Sequence, residues 1–458
     1  MNPEIFREYD IRGIADKDLD DETCSLIGKA YATIILRQGG KTIAVGRDNR
    51  ASGQRILKAT LEGILSTGLD VILIGEVPTP LLYYAVHKLG VDGGISVTAS
   101  HNPPEFNGFK ALAGKDAIYG KAIQEIRETA ESRDFKAAKA GARGKVVETS
   151  LEAQYIAEIS SIAKIGRKLN VVIDAGNGMA SELAPKLLRP MCAKLTELYC
   201  EKDPSYPNHL PDPVVEKNVA DLKKRVLAEK ADIGIAFDGD ADRIGVVDEK
   251  GNMLYGDRLL GIFAADLLKR RPGAEIIFEV KCSQALEEWI LAKGGKPLMW
   301  KTGHSLIKAK MKDDKAALAG EMSGHMFFTE KWYGFDDALL AAAKIISIVS
   351  NSGKSIGRID AEMSQYASSP EYRVDFPDSG KFRFVEKAME HFKGKFGVIG
   401  VDGVRVQFGN GWALLRASNT QPKLIVRIEG KTGKDLDEIK ERFLAEVEAF
   451  SGKRLELE

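Results

Sequence analysis

The sequence predicts an α/β protein: three topologically similar domains with mixed, mostly parallel sheets, then a smaller C-terminal α+β domain. Three observations carry this. A β-α-β-α-β pattern recurs three times along the 458 residues, and strands alternating with helices build mostly parallel sheets covered on both faces. The third strand of each copy runs straight into a polar loop. Past residue 364 the pattern changes to period-two strands and one long amphipathic helix.

In the first copy, residues 42–46 form a strand, a helix follows through Leu57, Leu61 and Leu65, and residues 70–75 form the second strand. A helix after Pro80 leads to the third strand, residues 94–98. The second copy places strands at 171–176, 194–198 and 233–237, and the third at 276–280, 297–300 and 316–319. Stretches 136–145, rich in Ala, Gly and Lys, and 364–379, rich in Ser and Pro, read as linkers. In the last segment Val404, Val406 and Phe408 alternate, as do Leu424, Val426 and Ile428; Leu436, Ile439, Phe443, Val447 and Phe450 share one helical face. The expected domains are therefore 1–146, 147–252, 253–364 and 365–458.

Composition limits the partners. Lys+Arg and Asp+Glu are both 66, so no net field attracts nucleic acid or an acidic membrane. An anionic ligand must be held by a local cluster of cations. The start has no basic segment followed by an apolar core, and the longest apolar region, 338–349, is interrupted by Lys344 and too short to span a bilayer. Cys24, Cys192, Cys200 and Cys282 lack metal-site spacing. Isolated cysteines and no signal segment give the expectation of a cytoplasmic protein.

The polar loops carry the chemistry. The first strand delivers a hydroxyl, Ser100, into the turn Ala99-Ser100-His101-Asn102, which Pro103 stops. Ser100 is a nucleophile or a turn residue on these grounds. Adjacency of His101 to Ser100 argues against a protease-like relay, which needs groups brought together by the fold. In the second loop Asp238, Asp240 and Asp242 stand at i, i+2 and i+4 directly after an apolar strand. Converging carboxylates repel unless a hard cation takes their oxygens. An EF-hand starting at Asp238 fails, because its sixth position needs Gly and holds Arg243. An aspartyl-phosphate site, with Asp238 itself as nucleophile, is the nearest rival.

The third loop sets Glu321 and Ser323 around Met322, with Gly324 allowing close backbone approach. A carboxylate there suits the adjacent hydroxyls of a sugar. In the last domain Arg416-Ala417-Ser418-Asn419-Thr420 is a nest of donors suited to a phosphate dianion. Tyr9, Asp10, Arg12, Gly13, Lys110, Arg243, Lys281 and His304 are further candidates.

Taken together, these loops resemble the α-D-phosphohexomutase superfamily over essentially the whole chain. The matching stretches are Thr98-Ala99-Ser100-His101-Asn102-Pro103, Asp238-Gly239-Asp240-Ala241-Asp242-Arg243, Gly320-Glu321-Met322-Ser323-Gly324-His325 and Arg416-Ala417-Ser418-Asn419-Thr420. Met322 before Ser323-Gly324-His325 looks like the phosphomannomutase/phosphoglucomutase branch; phosphoglucosamine mutases resemble it with Gln at that position. Pro104 and Gln421 are minor variations.

The resemblance implies four domains around a central cleft and a phosphoryl group carried on Ser100. It implies transfer between the 1- and 6-positions of mannose or glucose phosphates through a hexose 1,6-bisphosphate. Mg²⁺ would be held by Ser100, Asp238, Asp240 and Asp242. Tyr9, Arg243, Lys281, His304, Glu321, Ser323, His325, Arg416, Ser418, Asn419 and Thr420 would bind substrate, and Lys110, His101 or Arg12 would handle the hydroxyl proton. The expected partners are small hexose phosphates, with neither nucleic acid nor membrane, for a monomer or dimer. The competing readings are a phosphoglucosamine mutase, an aspartyl-phosphate enzyme using Asp238, and a sugar-phosphate sensor without turnover.

Overall fold

In a computed structural model, residues 1–136, 138, 142–419 and 421–457 are described. They divide into two compact units, Met1–Leu259 with His304–Ile359, and Leu260–Gly303 with Asp360–Glu458.

The first unit begins with β1 (Ile11–Ile14), β2 (Thr42–Arg47), β3 (Asp70–Glu76), β4 (Gly93–Val97), β5 (Phe106–Ala113), β6 (Asp116–Ala117) and β7 (Val146–Glu148). They form one sheet in the order β1-β5-β4-β2-β3-β7, with β6 on β5. The centre, β2 with β3 and β4, is parallel. All five residues of β4 are buried, as expected of a strand covered on both faces. The expected boundary at residue 146 falls at the head of β7, which pairs with β3 and extends this sheet.

A second sheet follows: β8 (Leu169–Asp174), β9 (Cys192–Leu198), β10 (Ile233–Phe237), β11 (Ile244–Val247) and β12 (Met253–Leu254), in the order β12-β11-β10-β8-β9. The chain then enters the second unit with β13 (Glu275–Glu279) and β14 (Lys296–Trp300), which pair in parallel. It returns to the first with β15 (Leu318–Gly320) and β16 (Met326–Phe328), an antiparallel pair.

This topology sharpens the sequence reading. Each polar loop is the connection from a third strand to an antiparallel partner: β4 to β5, β10 to β11, and β15 to β16. The returning strands make the sheets mixed. A bridge between Arg243 and His325 ties the second loop to the third. The apolar stretch after residue 337 is a helix, Ala338–Ser352, buried within the unit and capped by Asp337, whose side chain accepts from the backbone of Leu340. Among the described residues no helix is long and apolar enough to cross a membrane, and all four cysteines are free.

In the second unit β17 (Ala367–Ser368), β18 (Tyr372–Asp375), β19 (Gly397–Ile399), β20 (Val404–Gln407), β21 (Gly411–Ala417) and β22 (Lys423–Gly430) form a sheet ordered β17-β22-β21-β20-β19, with β18 also on β22. Helices Asp378–Lys393 and Gly433–Ser451 cover it. The stretch 364–379, expected as a linker, carries β17 and β18 instead. Its Tyr372 and Val374 join the apolar core, which outweighs the local Ser and Pro content. The other expected linker lies partly outside the described residues, at 137 and 139–141.

Candidate functional site

The tip between β4 and β5 puts Ser100 in the left-handed region, at φ 52°, a conformation unfavourable for a side-chain-bearing residue. It is 1% exposed. Its Oγ donates to Asp238 Oδ2 at 2.7 Å and lies 3.1 Å from His101 Nδ1. Sequence adjacency argued against a protease-like relay between the two, and said nothing of a direct contact. The curled backbone at Ser100 brings the two neighbouring side chains to the same side. Since the hydroxyl proton goes to Asp238, Nδ1–H of His101 is the donor in the second contact. Burial, then the cations Arg243 and Arg12, push His101 well below its usual range and keep it neutral.

The second tip is the acidic loop. Asp238, Asp240 and Asp242 are fully buried, and one oxygen from each lies within 4.8 Å of the others. The loop wraps Asp238, whose Oδ1 accepts from the backbone of Asp242 at 3.0 Å and of Arg243 at 3.1 Å. Asp240 Oδ2 accepts from Thr79 Oγ1 at 2.6 Å and Lys110 Nζ at 2.7 Å. Lys110 also bonds Asp242.

Burial raises the Asp238 carboxyl well above its usual range, with the Asp242 and Asp240 charges adding to it. Burial opposes ionisation of Asp240 too, but the Lys110 ammonium outweighs it and holds Asp240 low. The same contacts raise Lys110 against its own burial. Asp240 Oδ1 and Asp242 Oδ1 are buried with no hydrogen bond among the described residues. Three convergent carboxylates, two of them with an open oxygen, fit a hard divalent cation. Gly239 lets the two tips meet: a Cβ there would stand 2.4 Å from the carbonyl oxygen of Ser100.

The third tip adds histidine. Arg243 Nε donates to His325 Nε2 at 2.9 Å. An arginine Nε can only donate, so the neutral His325 ring carries its proton on Nδ1. That nitrogen lies 3.0 Å from Asp336 Oδ2 and 3.6 Å from Asp242 Oδ1. Asp242, His325 and Asp336 also converge closely enough for a metal, but the Nδ1 proton stands where the metal would bind. His304 stacks on His325 with ring centres 5.3 Å apart, and Tyr9 meets His304 edge-on at 6.4 Å. Lys308 pairs with Asp336 at 2.8 Å.

Arg12 donates to Asn102 Oδ1 at 2.8 Å and pairs with Asp10. Glu321 is buried in the same hairpin as His325 and Ser323 is half-buried. The hairpin seats Gly324 at φ 91°, where a Cβ would meet the carbonyl of Ile244.

The remaining candidates stand in the second unit. Lys281 Nζ pairs with Glu371 at 2.9 Å, and the carboxylates of Glu279 and Glu371 raise its pKa against its burial. Arg416 pairs with Asp402 at 3.0 Å. Ser418 Oγ accepts from the backbone of Gln421 at 3.1 Å, Asn419 is half-buried, and Thr420 lies outside the described residues. Sequence reasoning missed Asp48, Arg50, Thr79, Asp336, Glu371 and Asp402. The pair Asp336-Asp337 before an apolar helix was a visible signal, though one that reads first as a helix cap. The others are single polar residues that no motif marks.

Fold and site together define a multidomain α/β protein with a buried serine turn set against a cation-ready acidic loop. Descriptions of the phosphoglucomutase/phosphomannomutase α/β/α domains I, II and III match residues 3–137, 153–251 and 255–366. That of the C-terminal domain matches residues 371–446. The chain belongs to the phosphoglucomutase/phosphomannomutase family. It is 42% identical over 446 residues to a phosphomannomutase/phosphoglucomutase of Pseudomonas aeruginosa, covering 97% of this chain and 96% of that protein. It is also 42% identical over 449 residues to a phosphoglucomutase of Neisseria gonorrhoeae, covering 97% of each. A crystal structure of a phosphoglucomutase/phosphomannomutase family protein from Burkholderia thailandensis matches with a TM-score of 0.93 at 38% identity, over 99% of both chains.

Proposed function

We propose that this protein is a phosphohexomutase that moves a phosphoryl group between the 1- and 6-positions of mannose or glucose phosphates, with Ser100 as the carrier. The observation that carries the reading is the 2.7 Å contact of Ser100 Oγ with Asp238, inside a buried triad of carboxylates. In the forward half-reaction the phosphorus–oxygen bond to Ser100 breaks and a bond to the free sugar hydroxyl forms. The resulting hexose 1,6-bisphosphate turns over; Ser100 Oγ then bonds to the other phosphorus as the bond from that phosphorus to the sugar oxygen breaks, and the sugar oxygen takes up the proton accepted in the first half-reaction. Asp238, Asp240 and Asp242, together with phosphorylated Ser100, would hold Mg²⁺, which would supply positive charge to the transferring phosphoryl group.

The chain's own groups supply the rest. Lys110, paired with Asp240 and Asp242, adds positive charge beside them. His101, kept neutral, is the acceptor for the sugar hydroxyl proton. Positioning and charge neutralisation are the main contributions a protein makes to phosphoryl transfer. Glu321 and Ser323 grip the sugar hydroxyls in either orientation. In the second unit Arg416, Ser418, Asn419 and Thr420, with Lys281, are groups whose chemistry suits a phosphate.

The test is a side-by-side rate comparison on mannose, glucose and glucosamine 1-phosphates with Mg²⁺ and a trace of glucose 1,6-bisphosphate. Turnover of the first two, with glucosamine phosphate at least about tenfold slower in kcat/KM, is the expected result. Fastest turnover of glucosamine phosphate overturns the sugar assignment. Saturable binding with no turnover of any of them leaves a sensor.

A further inference from the structure

The serine turn has a buried support that no motif marks. Arg50 is 1% exposed and uses all five guanidinium donors. Its Nη2 donates to the carbonyl oxygens of Ser100 at 2.8 Å and Asn102 at 2.6 Å. Its Nη1 donates to those of Pro103 at 2.7 Å and Phe106 at 3.0 Å. Its Nε donates to Asp48 Oδ2 at 3.2 Å. Asp48 Oδ1 in turn accepts from the backbone of Arg50 at 3.0 Å, and the Tyr206 ring faces the guanidinium at 5.5 Å. Four carbonyls of one loop therefore converge on a single side chain that is itself fixed by its counter-ion.

The loop needs such a support. Ser100 stands at φ 52°, a backbone state that L-residues keep only where the surroundings over-determine it. Its own carbonyl is one of the four that Arg50 holds. We propose that Arg50 is a positioning residue of the phosphoryl transfer: its fork keeps the Ser100 backbone in the left-handed state that aims Oγ at Asp238 and the acidic loop. Lysine cannot replace it, because one ammonium offers three donors from a single point and not a planar fork. The inference rests on Ser100 being the phosphoryl carrier.

The experiment follows two readouts in Arg50→Lys and Asp48→Asn: steady-state kinetics on glucose 1-phosphate, and the rate of Ser100 phosphorylation by glucose 1,6-bisphosphate. The expected result for Arg50→Lys is a KM within about threefold of the original. Its kcat and its phosphorylation rate fall together by about 100-fold, the cost of a misplacement on the order of 1 Å. Asp48→Asn, nearly isosteric and retaining an acceptor oxygen, keeps the fold if Arg50→Lys does not, and shows the same split at smaller amplitude. Arg50→Ala regains phosphorylation with millimolar guanidinium and not with ammonium at equal ionic strength, a rescue that a merely structural loss does not show. Folded Arg50→Lys or Asp48→Asn with the original kcat and phosphorylation rate overturns the inference alone. Absence of phosphate on Ser100 in the unaltered protein overturns both it and the carrier reading.

Discussion

At the residue scale, Asp240 illustrates how three charges share one buried space. One of its oxygens is taken by Thr79 and Lys110, while the other is buried and open. Asp240→Asn keeps the shape and removes the charge. The Mg²⁺ concentration for half-maximal activity should rise at least about tenfold and kcat fall about 10²-fold, with the fold intact by circular dichroism. Unchanged activity at limiting Mg²⁺ contradicts the cage. His101→Gln should lower kcat about 10²-fold, the usual weight of a proton acceptor, and flatten the acidic limb of the kcat–pH profile. Ser100 and the three aspartates were legible because their spacing follows a buried strand. Arg50 and Asp48 were not, since their meaning lies in which carbonyls the fold brings to them. The Ser100–His101 contact was hidden for a related reason: it depends on one backbone angle that no residue pattern announces.

At the element scale, the strand–tip–strand unit is what turns loop residues into a site. The tips of the first two domains meet where Gly239 lies against the carbonyl of Ser100. Gly239→Ala should therefore displace one tip and cost about 10²-fold in kcat, while Mg²⁺ still protects the protein against heat. Wild-type kcat in that variant would refute the close approach. The helix Ala338–Ser352 offers a pH test through its cap. Asp337 accepts from Tyr155 Oη as well as Leu340, and burial pushes it up to about 7.

A carboxyl raised in the folded state binds its proton there while the unfolded chain has lost it. Stability from this group is thus full below about pH 4, the unfolded value, and falls as pH rises toward 7. Asp337→Asn should remove that slope and gain roughly 1–4 kcal/mol at pH 8, read by urea unfolding at several pH values. An unchanged slope between pH 4 and 7 contradicts the assignment. The sequence reading recovered the recurrent strands and all three tips, whose buried runs and polar ends are local signals. It missed the returning antiparallel strands as the reason for the tips, and β17 and β18 within the Ser/Pro stretch, because their pairing with β22 is non-local.

At the scale of the whole molecule, the family match extends through all four domains, while the acidic loop belongs to one unit and Lys281 and Arg416 to the other. Mg²⁺ at about 100 times its Kd should stabilise the unit that holds it by about 2.7 kcal/mol. The shift should appear in the melting of that unit and vanish in Asp240→Asn. The central claim, that Ser100 carries the phosphate, is tested most directly by peptide mapping after incubation with glucose 1,6-bisphosphate. Alkali-labile phosphate on the peptide containing Ser100, lost in Ser100→Ala together with turnover, is the predicted result. Hydroxylamine-sensitive phosphate on the peptide containing Asp238 would contradict it.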